Sequence, residues 1–174
     1  MGNFTVDEAR DVIRLTSEYN GARTRLAVST SQQRNSLLRD YSQTGLAILG
    51  GTLTIITVEP ALVKTPTLMY VGAALTLISV IVAFISRHIL SKYLKTFLAD
   101  EAAYYFKVVN PAREVIRDPE DSGASKVLEH VAKNENVPNT KLSWLGEWGD
   151  RIVGAVLLGG GLCVAISLML NVSL

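Results

Sequence analysis

The sequence predicts an all-α membrane protein with a transmembrane helical hairpin, a C-terminal third transmembrane helix and long cytoplasmic helices. Two uncharged runs, residues 41–58 and 68–86, are separated only by the short segment 59–67. A third run, 152–174, also carries no charge. Each run extends about 27 Å or more as a helix, which matches the hydrocarbon core of a bilayer. Because the connecting segment is short, the first two runs are predicted to be antiparallel neighbours.

The charge distribution predicts how these segments are oriented. The net charge is only +1, but six arginines fall in residues 1–40, Lys64 is alone in the hairpin loop, and ten basic residues lie between Arg87 and Arg151. The positive-inside bias places basic segments in the cytoplasm. We therefore expect a cytoplasmic N-terminal helix (1–40), a transmembrane hairpin (41–86), a cytoplasmic helical region (87–150) and a third span (151–174). The N-terminus is predicted inside and the C-terminus outside.

The N-terminal segment is predicted to be one long polar helix with a narrow apolar seam. Its apolar residues recur at alternating spacings of three and four: Val12, Leu15, Tyr19, Ala22 and Leu26. A seam of this spacing packs on another helix. The favoured interpretation is packing within the chain's own cytoplasmic domain, and the alternative is a coiled coil with a partner.

Each predicted span carries a stripe of small and hydroxylated residues. The first stripe is Gln43, Ala47, Gly50, Thr54 and Thr57, and the second is Gly72, Thr76, Ser79, Ala83 and Ser86. The third follows strict i+4 spacing: Ala155, Gly159, Cys163, Ser167 and Asn171. Such residues are typical of helix–helix contacts in lipid, and lining a narrow pore is the alternative. The stripe positions assigned to helix packing or pore lining are Gly50, Thr54, Gly72, Thr76, Ser79, Ala83, Ala155, Gly159, Cys163 and Ser167.

Aromatic and basic residues stand at the predicted membrane boundaries. Trp144 and Trp148 precede the third run, and Arg39 and Arg87 flank the hairpin. Tryptophan and arginine are enriched where a helix meets the lipid headgroups. We interpret these four residues as interfacial anchors, and Arg34 has the same interpretation.

No arrangement of residues predicts an enzyme. The two histidines, His88 and His130, lack a nearby nucleophile and carboxylate at a catalytic spacing. No cluster has the spacing of metal ligands, and Gly159, Gly160 and Gly161 lie inside an apolar run rather than after a strand. No cofactor or metal is expected. Nucleic acid is not expected as a partner, because no recognition motif accompanies the arginines.

A short helix is predicted over residues 124–134.

The run Tyr19–Tyr41, leading into Gly45–Val58 and Leu68–Ser86, resembles the SLATT group of small two-transmembrane effectors of bacterial antiviral defence. The resemblance covers residues 8–110 and rests on layout rather than on a catalytic motif. It implies a homo-oligomer that forms a pore in the bacterial inner membrane when triggered through its cytoplasmic helices. Membrane lipid and further copies of the chain are then the expected partners. The alternative is a non-catalytic anchor or accessory subunit for a cytoplasmic protein or a larger membrane complex.

Overall fold

The computed structural model describes residues 6–63, 65–106 and 144–169, and in these ranges the chain is all-helical. Three α-helices are present there: α1 Val6–Val58, α2 Pro66–Tyr104 and α3 Trp144–Met169. A 3-10 turn, Pro60–Leu62, follows α1. The predicted short helix over 124–134, together with His130 and Asn171, lies outside the described residues.

Helix α1 continues without a break through residue 40, where the change from polar to apolar sequence predicted the boundary between a cytoplasmic helix and a transmembrane helix. Neither proline nor glycine occurs between residues 22 and 44, so nothing in the local sequence ends the helix there. It ends at Val58, just before Pro60, and the amide of Glu59 donates the last bond to the carbonyl of Ile55 at 3.0 Å. Helix α2 begins at Pro66. The backbone N–H at the first position of a helix has no partner within the helix, so proline, which has no N–H, is well suited to this position.

Two of these helices are long and apolar enough, by length and composition, to cross a membrane: α2 and residues 146–169 of α3. In the most apolar windows of the two helices, only 33% and 22% of the residues are buried within the chain. A core helix of a soluble protein would be mostly buried. The first predicted span, 41–58, is the end of α1 and is not among these two helices.

The chain forms two compact units, divided at residues 30/31 and 91/92. In the first unit, the described residues are 6–30 of α1, 92–104 of α2 and the two residues 105 and 106 that follow it. In the second, they are 31–58 of α1, 66–91 of α2, all of α3, and the loop residues 59–63 and 65. The second unit is a three-helix unit whose centre contains Leu38, Ala83 and Val153, one residue from each helix.

Candidate functional site

Helices α2 and α3 of the three-helix unit approach closely at a pair of glycines. A Cβ on Gly160 would lie 2.9 Å from the carbonyl oxygen of Gly72 and 3.0 Å from the amide nitrogen of Thr76. A Cβ on Gly72 would lie 2.9 Å from the carbonyl oxygen of Gly160. Any larger residue at either position would collide with backbone atoms of the facing helix, which cannot move away as a flexible side chain could. The two helices therefore pack at this point because both positions are glycine.

The contact continues in both directions from this glycine pair in antiparallel register. Ser79 Oγ donates to the Val153 carbonyl at 2.9 Å, and the Ser86 side chain contacts Gly149. We call this contact the seam. Its residues on α2 are Gly72, Thr76, Ser79, Ala83 and Ser86, and its residues on α3 are Gly149, Val153, Gly160, Val164 and Ser167, all buried.

Hydroxyl groups close the seam at the start of α2. Thr65 Oγ1 donates to Ser167 Oγ at 3.1 Å, and Ser167 Oγ in turn donates to the Thr65 carbonyl at 3.2 Å. Further along α2, Thr76 Oγ1 donates to the Gly72 carbonyl at 2.8 Å. Buried hydroxyls that have such partners do not carry the desolvation penalty of an unpaired polar group.

Helix α1 joins the other two through contacts of a different kind. The Tyr41 ring lies beside Gly154, and Val80 and Leu157 lie against Gly45. The Arg34 guanidinium donates to the Gly146 carbonyl at 2.8 Å, tying α1 to the first turn of α3. A charge-assisted hydrogen bond of this kind contributes more than a neutral one. Arg34 was interpreted from the sequence as a headgroup anchor, and its bond to Gly146 had no signal in the sequence.

The three-helix unit exposes many large apolar side chains and buries several hydroxylated ones beside apolar residues such as Met69 and Val153. Its most buried side chains include Thr52, Thr76, Ser79, Ser86 and Ser167, each at most 1% exposed. Its exposed side chains include large apolar ones: Leu53, Tyr70, Leu77, Ile78, Ile81, Phe84, Ile85, Leu158, Leu162 and Ile166. In water-soluble proteins, large contiguous apolar surfaces are rare outside binding sites. This arrangement suits a surface that contacts acyl chains.

The structure places all five residues of the predicted second stripe, Gly72, Thr76, Ser79, Ala83 and Ser86, in the seam. Thr76 and Ala83 are 0% exposed. Because the chain's own α3 covers them, they do not face outward, where a path between copies would run. Ser167 of the third stripe also lies in the seam, on α3.

The other members of the third stripe do not face α2 as a group. Ala155 is exposed, nothing lies within 4 Å of a Cβ on Gly159, and Cys163 is half-buried, with its Cβ near Gly72. The physical reason is helical geometry: each step of four residues turns about 40° further, so a strict i+4 series drifts around the helix. Of the predicted i+4 ridge, Cys163 and Ser167 lie against Gly72 and Thr65, and for Ala155 and Gly159 a packing or pore-lining role stays a prediction. The buried residues of α3 are spaced by three or four positions, and they include Gly160 rather than the predicted Gly159.

Gly50 and Thr54, from the first stripe, are exposed. Nothing lies within 4 Å of a Cβ on Gly50, and the Thr54 hydroxyl donates to the Gly50 carbonyl of its own helix at 2.9 Å. These two residues pack on nothing in the described part of the chain. A contact with another copy stays a prediction.

The predicted anchors have exposed or half-buried side chains. Trp144 is 64% exposed, and Trp148 is 44% exposed with the Arg151 guanidinium 4.7 Å from its ring centroid. Arg39 is exposed beside Asp40, and Arg87 is half-buried. Their placement at a lipid interface stays a prediction.

The first unit contains a buried ion pair that the sequence did not signal. Glu101 is 7% exposed and lies 3.5 Å from the Arg23 guanidinium, which also stands 5.4 Å from the centroid of the Phe97 ring. Burial raises the pKa of the Glu101 carboxyl, the Arg23 charge acts to lower it, and the neighbouring Asp100 raises it. Glu101 lies well beyond Arg87, outside the apolar run 68–86.

Among the residues that the structure describes, no group of three or more His, Cys, Asp or Glu side chains is arranged to hold a metal ion. His88 is exposed. The chemistry available at the seam is hydrogen bonding and close packing.

Comparisons of the chain with protein-family models, with curated proteins and with solved structures found no match.

Proposed function

We propose that the chain is an oligomeric integral membrane protein of the bacterial inner membrane that forms a pore or otherwise permeabilises the membrane when its cytoplasmic helices are triggered. The observation that carries the membrane assignment is the exposed surface of the three-helix unit, which is rich in leucine, isoleucine and phenylalanine, while serine and threonine hydroxyls are buried among the apolar residues inside. In lipid, helices gain little from burying apolar surface against each other, so small and hydroxylated residues make the contacts.

Residues 41–58 of α1 complete the proposed membrane domain as a third span. Its buried residues Ser42, Gly45 and Thr52 have the same character as the seam, and Thr52 Oγ1 donates to the Ile48 carbonyl at 2.7 Å. The exposed Thr54 and Thr57 hydroxyls also bond within the helix. These hydroxyl donors are thus satisfied without water. The distribution of basic residues supports an N-terminus inside and a C-terminus outside.

If a path for ions exists, we place it between copies, along the exposed stripe of α1. Thr76 and Ser79 are covered by α3, whereas Gln43, Thr54 and Thr57 keep their side chains exposed. These are the exposed polar residues that a weakly polar lining needs. The resemblance in layout to the SLATT group supports the same activity, with a signal received by the cytoplasmic helices.

Ion flux from liposomes that contain the purified protein tests this proposal. We expect the wild type to release entrapped K⁺, Gln43→Leu to lower the rate, and the neighbouring exposed variant Thr44→Leu to leave it unchanged. A wild type that releases no K⁺ would contradict the pore. If Gln43→Leu and Thr44→Leu lowered the rate of K⁺ release equally, Gln43 could not be assigned to the ion path.

The second candidate function is a non-catalytic membrane anchor or accessory subunit that presents its cytoplasmic helices to a partner protein. The exposed apolar side chains of α1 in the first unit, Leu15, Tyr19 and Leu26, favour a partner of some kind. A scaffold would be silent in the flux assay. It would be isolated as a stable complex with the cytoplasmic partner.

A further inference from the structure

Helix α1 carries a heptad pattern of burial along its length. Starting at Ile13, alternating steps of four and three residues reach only buried or half-buried positions: Ile13, Ser17, Asn20, Thr24, Ala27, Ser31, Arg34, Leu38, Tyr41, Gly45, Ile48, Thr52 and Ile55. A period of seven is the signature of helices that pack with a side-chain seam of the coiled-coil type. We call these positions the inward line.

A second series with the same period lies two residues further along, on the opposite side of the helix. Every member is exposed: Leu15, Tyr19, Ala22, Leu26, Ser29, Gln33, Ser36, Asp40, Gln43, Ala47, Gly50, Thr54 and Thr57. We call it the outward line. The predicted N-terminal apolar seam and the stripe of the first predicted span are two parts of this one series. The favoured sequence interpretation, that the N-terminal seam packs within the chain, is wrong for the described residues.

The first part of the outward line is apolar although the helix around it is polar. Leu15 is 59% exposed, Tyr19 65% and Leu26 68%. The spacing from Leu15 through Tyr19 and Ala22 to Leu26 assigns them to the alternating d and a positions of a heptad. Large apolar residues at these positions on an exposed helix face are typical of a helix that lacks its partner.

We propose that the outward line between Leu15 and Leu26 is where two or more copies of this chain meet, as a parallel coiled coil of α1 helices. This inference rests on the proposed oligomeric membrane protein. Copies inserted into a membrane with the same topology are related by an axis along the membrane normal, so equivalent helices run parallel. A second copy supplies the same heptad in the same register, and each a or d side chain then meets its own counterpart.

The charges beside the line are compatible with this pairing. In a parallel coiled coil, the g residue of one helix faces the e residue five positions further along the next. With Tyr19 at a, these pairs are Asp11 with Thr16, Glu18 with Arg23, and Arg25 with Thr30. Glu18 meets a residue of opposite charge, since the Arg23 side chain remains 27% exposed beside Glu101. None of the three pairs joins like charges, which would oppose assembly.

Disulfide crosslinking tests the inference in the full-length protein, with Cys163→Ala removing the native thiol. Tyr19→Cys places a thiol on the outward line, and Arg14→Cys places one at the exposed c position that points away from it. We expect oxidation to link Tyr19→Cys chains at least about tenfold faster than Arg14→Cys chains, because only a-position residues meet at the axis. The double variant Leu15→Glu/Leu26→Glu should size as monomers and keep its helical content, since both side chains are exposed.

The outcomes separate this inference from the proposed function. If the wild type is oligomeric but the two cysteine variants crosslink at equal rates, the oligomer uses another face and the coiled coil is overturned. The proposed oligomer then still stands. If the wild type is monomeric in both detergent and bilayers, the coiled coil and the proposed oligomer are both overturned.

Discussion

Glu101 pairs with Arg23 in a place that holds water away from its carboxyl group. Burial is the largest influence on its pKa and raises it, which means that desolvation outweighs the attraction of the guanidinium. The Phe97 ring, with its centroid 5.4 Å from the Arg23 guanidinium, helps to hold the cation in place. Because burying the carboxyl is costly, the net contribution of the pair to stability is expected to be small.

The raised pKa of Glu101 predicts a pH dependence of stability. The folded state binds this proton more tightly than the unfolded chain, so the stabilisation is full below the ordinary pKa and is lost as pH rises through the raised value. Denaturant titrations that start below the ordinary pKa of glutamate and move to higher pH should show this loss in the wild type and not in Glu101→Gln. Glu147→Gln, exposed and in the other unit, serves as the control and should behave as the wild type. A parallel loss in Glu101→Gln would assign the effect to another group.

Gly160 and Gly159 are adjacent in the chain and differ in what surrounds them. A side chain on Gly160 would meet the backbone of Gly72 and Thr76, whereas one on Gly159 would extend into open space. The sequence offers three consecutive glycines and no local signal for which of them faces α2. The seam register decides it, through the hydrogen bond of Ser79 to Val153 and the contact of Ser86 with Gly149.

We predict that Gly160→Ala destabilises the three-helix unit by about 1–3 kcal/mol, the usual cost of overpacking a closed contact. Gly159→Ala should not lower stability, because its Cβ meets nothing within 4 Å and alanine is the better helix former. Unfolding by titration with a denaturing detergent, followed by circular dichroism, measures both. Equal effects of the two variants would contradict the placement of the seam.

At the scale of the helix, the sequence predicted α2 better than α1 or α3. The stripe on α2 alternates steps of four and three, so it stays on one side of the helix and coincides with the seam. The stripe on α3 used equal steps of four, so it turns around the helix, from the exposed Ala155 to the buried Ser167. On α1, the inward line mixes Ile13, Asn20 and Arg34 with small residues, so hydrophobicity alone does not reveal it. The apolar residues of α1 that hydrophobicity does reveal, Leu15, Tyr19 and Leu26, lie on the outward line, on the opposite face.

The docking of α3 on α1 depends on Arg34. We predict that Arg34→Ala removes the bond to the Gly146 carbonyl and lowers stability by about 1.5–3 kcal/mol, as charge-assisted hydrogen bonds do. Amide hydrogen exchange should then accelerate in the first turns of α3. Arg39→Ala is the matched control, because Arg39 is exposed and has only the adjacent Asp40 at 3.8 Å. Unchanged exchange in Arg34→Ala would show that the seam and the contacts of Leu38, Tyr41 and Gly45 hold α3 without this bond.

At the scale of the whole molecule, the apolar exterior of the three-helix unit is the feature from which the proposals start. The apolar runs predicted three helices that cross a bilayer, and the part of the chain that the structure describes has two helices long and apolar enough to do so. The sequence could not show which side of each helix faces outward, since that depends on the register between helices. Because the seam hides the hydroxyls of α2, we propose the outward line of α1 as the surface for assembly.

Collision accessibility of spin labels tests this central claim most directly. In the Cys163→Ala protein reconstituted into vesicles, a label at Ile81→Cys lies on the apolar exterior, and one at Lys95→Cys lies on the charged part of α2. We predict that oxygen relaxes the Ile81 label more than a water-soluble nickel chelate does, because oxygen concentrates in acyl chains, and that the Lys95 label shows the reverse order. An Ile81 label relaxed more by the nickel chelate than by oxygen would contradict the account, since the apolar exterior would then face water.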